Sequence, residues 1–282
     1  IRERRISSGE GTRHLAAKAA ERALAAAGVA PEELDIIILG TSSPDRNYPS
    51  DACSVQAAIG AVNAVAFDIS AACAGFIFAM NIVEGFFKAG IYKTALIIGA
   101  ETLSKVTDWS DRGTCVLFGD GAGAAVLKAE ETGIIDMMMG ADGTKGDVLA
   151  CTSRTVGNFL TGTKPELGFM TMDGQEVFKF AVRKVPESVL ELLNRTGTKK
   201  EDIKYYVLHQ ANERIIEAAA RRLKEPMEKF PMTISQFGNT STASIPLLLD
   251  DMIQKDMLKR GDKIIMSGFG AGMTWGAVLM EW

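Results

Sequence analysis

The sequence is poor in the side chains that bind metals or form disulfide frameworks. It has only four cysteines and two histidines in 282 residues, and no two cysteines form a C-x-x-C pair. This usage argues against a disulfide framework and favours a reducing cytoplasm. Asp108 and Asp111 are spaced like possible ligands, but no histidine or further carboxylate joins them, so we expect no metal. The cysteines are Cys53, Cys73, Cys115 and Cys151.

Long apolar runs, a secretion signal and an excess of positive charge are also missing. No apolar stretch reaches the roughly 20 residues of a membrane-spanning helix, and no signal peptide is visible, so we expect no membrane partner. The net charge of -4 argues against nucleic acid as the main partner. With 47% hydrophobic and 23% charged residues, the chain has the composition of an ordinary globular α/β protein. It begins at Ile1 without a methionine, and we expect residues upstream of it.

The clearest pattern is an internal repeat with an offset of 169 residues. In each copy a helical segment ends at a glycine and leads through a short charged turn into an apolar strand. The matching segments are 15–27, Gly28 and 36–39 in the first copy, and 182–196, Gly197 and 205–208 in the second. A period this long excludes a solenoid and indicates two fused, duplicated halves.

Short apolar strands alternate with helices in both copies, which predicts an α/β fold with parallel or mixed sheets covered on both faces. We expect the halves to span residues 1–130 and 131–282 and to pack as α-β-α-β-α layers around shared central helices. One central helix would start at Cys73 and the other within 239–244. Loops at the carboxyl ends of the strands would then carry the chemistry.

Cys73 is the candidate nucleophile because it lies between a predicted strand, 65–69, and a predicted helix, 74–88. A sulfur at a helix N-terminus is favoured as the thiolate by the helix dipole and by free backbone N–H groups. The alternative is a packed core cysteine, which is the commoner fate of a free cysteine. The neighbouring alanines and glycine leave room for a substrate and resemble a nucleophile elbow.

His209 and Asn239 are the candidate partners of the cysteine. His209 ends a predicted strand and could equally be structural, and Asn239 beside Gly238 could be only a turn residue. Together with a reactive cysteine, however, an imidazole and a carboxamide suit thioester chemistry, since they can hold the oxygen of an enolate. The glycine-rich segment 119–123 leads into a strand rather than a helix, so it fits neither nucleotide-binding pattern.

Several motifs, in the same order along the whole chain, resemble β-ketoacyl-acyl carrier protein synthase III of the thiolase-fold superfamily. The resemblance implies a thiolase-like fold of two duplicated halves and a catalytic triad of Cys73, His209 and Asn239. The family's relatives with Cys-His-His triads differ here, and thiolases carry a second cysteine that the glycine turn at 268–272 lacks. The matching segments are 1–5, 68–76, 111–114, 118–124, 174–179, 209–212, 238–241 and 268–276.

The resemblance implies an acyltransferase that initiates fatty-acid biosynthesis without a cofactor. Cys73 would take an acyl group from a short acyl-CoA, and the acyl enzyme would condense with malonyl-acyl carrier protein as carbon dioxide leaves. Backbone N–H groups of Cys73 and of the 268–272 turn would hold the oxyanion. Two other readings remain open: a relative in secondary metabolism with a different acceptor, and a non-catalytic thiolase-fold protein that binds acyl thioesters.

The resemblance also implies the residues that bind substrates and partners. Arg112 would lie at the adenine and phosphate end of coenzyme A, and Phe178 and Asn212 would line the pantetheine tunnel. Tyr48 would close the acyl pocket of the partner subunit, which implies a homodimer. The predicted contacts with the acidic carrier protein are Gln210 and Arg214.

Overall fold

A computed structural model describes all residues from 1 to 282, which form seven α-helices and ten strands joined by short 3-10 turns. The helices are α1 (Thr12–Ala27), α2 (Asp51–Ile59), α3 (Gly75–Lys88), α4 (Gly174–Thr196), α5 (Glu213–Leu223), α6 (Ile234–Phe237) and α7 (Ser244–Gln254). The strands are β1 (Ile36–Gly40), β2 (Val65–Ile69), β3 (Thr94–Glu101), β4 (Gly121–Lys128), β5 (Ile134–Ala141), β6 (Leu149–Cys151), β7 (Met170–Met172), β8 (Ile203–Leu208), β9 (Lys263–Gly270) and β10 (Thr274–Glu281).

The strands form two mixed four-stranded sheets and one small ribbon. The first sheet has the order β2-β1-β3-β4, in which β1 is parallel to both its neighbours and β4 is antiparallel to β3. The second has the order β5-β10-β9-β8, with β8 parallel to β9 and β10 antiparallel to β9 and β5. Strands β6 and β7 form the ribbon. The middle of each central strand is mainly apolar because helices cover both faces of each sheet.

Alternate side chains of the central strands point into different layers. In β1, Ile36 and Ile38 pack with α3 and α7 between the two sheets, whereas Ile37 and Leu39 pack beneath α1 and α2. The second sheet uses its outer face in the same way to pack against α4 and α5. The order of layers is therefore helices, sheet, the central pair α3 and α7, sheet, helices, as the sequence predicts.

The internal repeat is visible in matched elements. Helices α1 and α4 both end at a glycine in the left-handed conformation, Gly28 and Gly197. Strands β3 and β9 occupy segments 169 residues apart, and 3-10 turns precede both central helices. Each of these turns has a non-glycine residue with positive φ at the same place, Ala72 at 45° and Ser241 at 49°. The fold is thus a thiolase-like α/β fold of two duplicated halves.

Candidate active site

Cys73 lies in the 3-10 turn that joins β2 to the central helix α3. Two threonine side chains of the second half hold this turn: Thr242 Oγ1 lies 2.8 Å from the Ala72 carbonyl oxygen, and Thr274 Oγ1 donates to the Ala71 carbonyl at 2.9 Å. The end of β9 packs directly on the turn, because a Cβ atom at Gly270 would lie 2.5 Å from the Cys73 nitrogen. Only glycine allows this approach.

The Cys73 thiol is buried, and burial raises its pKa to about 12. A hydrogen bond from the Ser241 hydroxyl partly opposes this shift. This differs from the thiolate expected at a helix N-terminus. The second half covers the sulfur so completely that desolvation of the charged form outweighs the stabilisation expected from the helix end, and the resting side chain is a thiol.

His209 follows β8 and is buried with its ring edge-on to Phe269, at 5.3 Å between centroids. Its Nδ1 lies 2.6 Å from Ser244 Oγ, and its Nε2 is buried without any partner. Burial lowers the pKa of His209 to about 3, so the imidazole is neutral near pH 7. The Ser244 hydroxyl has no other acceptor in hydrogen-bonding distance, so it donates to Nδ1 and leaves the proton of the ring on Nε2.

Asn239 is fixed by its backbone and by one side-chain contact. Its N–H donates to the Leu117 carbonyl at 2.9 Å and its carbonyl accepts from Gly119 at 3.0 Å, which anchors the second-half turn on the first half. The side-chain Oδ1 accepts the Ser241 N–H at 2.8 Å. Because Oδ1 is committed to this backbone donor, the amide Nδ2 is the end left to donate to a bound group.

The structure gathers the three side chains around the end of β9 and the turn between Asn239 and Ser244. The Ser241 hydroxyl lowers the pKa of the Cys73 thiol, and the Ser241 backbone N–H donates to Asn239 Oδ1. Gly270 packs on the Cys73 backbone, and Phe269 beside it contacts the ring of His209. The arrangement places one buried thiol among neutral hydrogen-bond donors.

The residues expected to bind coenzyme A lie outside this centre. Arg112 is exposed on a loop whose neighbour, Gly113, faces the N-terminus of α4 across a surface pocket. Phe178 lies on α4 and is half-buried against the outer core of the second half. Asn212 is exposed at the start of α5, where its side chain accepts the Arg214 N–H at 3.0 Å.

Gln210 does not lie where a carrier protein could contact it. Its side chain is only 1% exposed, and its Nε2 donates to the Leu208 carbonyl at 2.7 Å. Its Oε1 accepts the Thr233 N–H at 3.0 Å and the Ile234 N–H at 3.3 Å. These hydrogen bonds connect the chain beside His209 to the segment that leads to Asn239. Gln210 is therefore a buried structural residue here, and its predicted contact with the carrier protein is not supported.

Arg214 and Tyr48 are both open to solvent. Arg214 projects from the first turn of α5 without an ion pair to any carboxylate of the chain. The ring of Tyr48 is 86% exposed in the loop before α2.

Several residues of the site were not singled out from the sequence, chiefly Ser241, Thr242, Ser244, Phe269 and Glu101. Two signals could have found some of them. The repeat offset matches Thr242 to Cys73, and Glu101 is the one charged residue in the apolar run of β3.

No group of three or more His, Cys, Asp or Glu side chains is arranged to hold a metal ion. None of the helices is both long and apolar enough to cross a bilayer.

Comparisons with known proteins agree along the chain. A family model described as 3-oxoacyl-[acyl-carrier-protein (ACP)] synthase III matches residues 67–143, and the model of that enzyme's C terminal matches residues 193–282. The β-ketoacyl-[acyl-carrier-protein] synthases III of Clostridium acetobutylicum and Clostridium novyi are 51% and 52% identical to this chain. Both alignments cover 100% of this chain, with 87% and 88% of the two relatives.

Solved structures give the same result. The crystal structure of 3-oxoacyl-[acyl-carrier-protein] synthase III from Aquifex aeolicus superposes with a TM-score of 0.92 at 45% identity, over 100% of this chain and 88% of that one. The priming β-ketosynthase of the R1128 polyketide pathway superposes with a TM-score of 0.89 at 34% identity, over 100% of this chain and 85% of that one. The chain therefore belongs to the β-ketoacyl-[acyl-carrier-protein] synthase III family.

Proposed function

We propose that this enzyme condenses a short acyl-CoA with malonyl-acyl carrier protein to initiate fatty-acid biosynthesis, through an acyl-Cys73 intermediate. Family membership supports the reaction. The observation that carries the mechanism is the buried His209 Nε2, which has no protein partner and lies in the same site as the Cys73 thiol and the Asn239 amide. An unpaired buried donor is costly unless a ligand satisfies it.

In the first half-reaction Cys73 Sγ attacks the acyl-CoA carbonyl and coenzyme A leaves. The thiol proton ends on the coenzyme A sulfur, so no net charge remains in the pocket. The oxyanion formed on the way is held by the Cys73 N–H and by backbone donors of the 268–272 turn, which packs on that residue. A thiol rather than a thiolate at rest keeps the nucleophile protected until substrate fills the site.

In the second half-reaction His209 Nε2 and Asn239 Nδ2 donate to the thioester oxygen of malonyl-carrier protein. Both groups are neutral, and both are held from behind, His209 by Ser244 and Asn239 by Ser241. They stabilise the enolate that forms as carbon dioxide leaves. Burial favours this loss as well, because a carboxylate is destabilised away from water and carbon dioxide is not.

The carbanion then attacks the acyl-Cys73 carbonyl. A carbon–carbon bond forms, the carbon–sulfur bond breaks, and Cys73 leaves as a thiolate that is reprotonated. Loss of carbon dioxide supplies the carbanion without a base, a metal or an organic cofactor, so the proposed reaction needs none.

Substrate binding and docking follow from the exposed residues. Arg112, which is exposed, would supply a positive charge for the phosphates of coenzyme A, and the half-buried Phe178 and the exposed Asn212 would contact pantetheine. Arg214, next to Asn212 and free of ion pairs, is available to an acidic carrier protein. This side of the molecule would therefore receive both substrates in turn.

A homodimer is the proposed assembly, and the cytoplasm the proposed location. Strand β2 is an edge strand whose outer side is unpaired, and the exposed Tyr48 lies in the loop that leads into α2, the helix before β2. A second copy paired along β2 would cover this edge. We also propose a boundary between the halves at residues 130 and 131, between β4 of the first sheet and β5 of the second.

Intact-mass spectrometry tests the enzyme directly. Incubation with acetyl-CoA should add one acetyl group to the protein, and Cys73→Ala should add none, while Cys53→Ala, a matched change at an exposed cysteine, should acylate normally. An adduct that persists in Cys73→Ala would contradict the assignment. Product analysis with malonyl-carrier protein then separates this function from the second candidate, a priming synthase of secondary metabolism. The 34% identity to the polyketide enzyme is the observation that favours this second candidate.

A further inference from the structure

Glu101 is a buried carboxyl group that the proposed mechanism does not use. It ends β3 with 0% of its surface exposed, and no Lys, Arg or His contacts it. Burial raises its pKa. Its neighbours are hydroxyl groups and one backbone amide: Ser43 Oγ at 2.6 Å, Thr41 Oγ1 at 3.2 Å, Ser42 N at 3.0 Å and Thr242 Oγ1 at 3.0 Å.

The number of protons at Thr242 limits the charge state of Glu101. Thr242 Oγ1 lies 2.8 Å from the Ala72 carbonyl oxygen and 3.0 Å from Glu101 Oε1. A hydroxyl has one proton to donate, and a carbonyl oxygen can only accept. If Glu101 were ionised, one of the two short contacts would join two acceptors with no proton between them. Both contacts are satisfied if Glu101 Oε1 carries a proton, donates it to Thr242, and Thr242 donates its own to Ala72.

The remaining contacts fit a neutral carboxylic acid. Oε2 receives the hydroxyls of Ser43 and Thr41, and the Ser42 N–H reaches both oxygens at 3.0 and 3.1 Å. The titratable group that faces Glu101 is the Cys73 thiol, which is neutral at rest, and the Ser241 hydroxyl also reaches the carboxyl. No cation is present to favour the ionised form.

The Ala72 carbonyl belongs to the peptide group whose N–H is that of Cys73. This peptide is trans, so its C=O and N–H point in opposite directions. The N–H lies on the side of the cysteine's own sulfur. Ala72 has φ of 45°, a conformation that a non-glycine residue keeps only when its surroundings hold it. A hydrogen bond to its carbonyl both fixes this peptide plane and strengthens the N–H as a donor.

We propose that Glu101 is a positioning residue for acylation, which acts as a protonated carboxylic acid. It donates to Thr242, Thr242 donates to the Ala72 carbonyl, and the pair orients and polarises the Cys73 N–H toward the acyl oxygen. The proposal rests on the proposed acylation of Cys73. Glu101 of β3 and Thr242 of the second half would thus position the Cys73 N–H together, and neither would contact the substrate.

The test compares conservative pairs in both half-reactions. Thr242→Val removes the relay and should slow acylation by about 10- to 100-fold, whereas Thr242→Ser keeps the hydroxyl and should restore most of the rate. Glu101→Gln conserves a neutral donor at Oε1 and should acylate within a few-fold of the parent. Malonyl decarboxylation should change little in Thr242→Val, because His209 and Asn239 serve a different oxygen. A merely structural role would lower both rates together.

The protonation state has a readout of its own. The infrared spectrum of the parent enzyme near pH 7 should contain a carboxylic acid C=O band that shifts in deuterium oxide and is missing in Glu101→Gln. Absence of that band, equal acylation of Thr242→Val and the parent, or a loss in Glu101→Gln as large as in Thr242→Val would each overturn the proposal. A parent enzyme that takes no acyl group would instead overturn the proposed function, and the infrared band would still decide the charge of Glu101.

Discussion

The two halves present the same turns at the ends of matching strands but fill them with different side chains. In each of three matched pairs, one residue is a functional side chain of the site, and its counterpart is a glycine or, for Cys73, the threonine that holds the opposite turn. The repeat therefore gives the two halves matching backbone turns, but the functional side chains of the site differ between them. The pairs, each 169 residues apart, are Cys73 with Thr242, Gly40 with His209, and Glu101 with Gly270.

The counterparts are needed across the interface between the halves. Thr242 holds the turn of Cys73. A Cβ at Gly40 would lie 2.8 Å from the Thr242 methyl group, so the first half has no space for a side chain where the second has His209. Gly270 lets β9 reach the Cys73 backbone. Neither half could form the site alone, because Gly40 of the first half leaves room for Thr242 and Gly270 of the second half leaves room for the Cys73 turn.

The largest expected effect separates the two half-reactions. His209→Ala and Asn239→Ala should each lower malonyl decarboxylation by about 10²- to 10³-fold, the usual cost of losing one donor to a developing oxyanion. Acylation of Cys73, which depends on backbone donors of Cys73 and of the 268–272 turn rather than on these two side chains, should persist. The double variant should be little worse than the worse single one, because both donors serve one oxygen.

Released carbon dioxide measures the first effect and intact mass the second. Full decarboxylation by Asn239→Ala would remove that residue from the mechanism, and loss of acylation in both variants would contradict the assignment of these two side chains to the second half-reaction.

The second test fills the space that Gly270 leaves open. Gly270→Ala puts a methyl group 2.5 Å from the Cys73 nitrogen, so the turn or β9 must shift. We expect a loss of about 1–3 kcal/mol in the free energy of unfolding, as for overpacked cores, with a marked drop in acylation. Denaturant titration and intact mass measure both.

Gly85→Ala is the matched control for this change. Gly85 lies inside α3, and nothing is within 4 Å of the position of its added Cβ. Alanine there should stabilise the helix by roughly 0.5–1 kcal/mol and leave acylation intact. If Gly270→Ala behaved like Gly85→Ala, the close approach of the halves would not govern the nucleophile.

A smaller effect concerns the surface rather than the turns. Arg214→Glu should weaken condensation with the acidic carrier protein several-fold and reduce its dependence on salt, while acylation by acyl-CoA is spared. Arg221→Glu, a charge reversal in the last turn of the same helix, is the control and should have less effect. Steady-state rates at two salt concentrations give the comparison. Equal losses in both half-reactions would point to coenzyme A binding or misfolding.

The sequence predicted the layered fold because the repeat and the strand patterns can be recognised in each half of the sequence by itself. It also predicted Cys73 at a strand-to-helix turn, His209 at a strand end and Asn239 in a turn of small residues. It could not indicate that Gln210 is buried, because the residues next to a glutamine at a strand end do not determine the direction of its side chain. Nor could it reveal the contact of Glu101 with Thr242, whose partners are 141 positions apart and meet only when the halves pack.

The smallest effect compares the buried titratable groups of the two halves, whose pH dependences have opposite signs. Burial lowers the pKa of His209 from 6.5 to about 3, so below pH 6.5 the unfolded chain binds a proton that the native state does not. Its contribution to stability is complete above that value and is lost on acidification. Burial raises the pKa of Glu101 above 4.5, so the unfolded chain loses a proton that the native state keeps. Its contribution is complete below pH 4.5 and is lost as pH rises. Calorimetric melting between about pH 5 and pH 8 should therefore show the advantage of the parent over His209→Gln growing with pH, and its advantage over Glu101→Gln shrinking. Parallel trends in the two variants would mean that one of these groups does not have the charge state that its surroundings indicate.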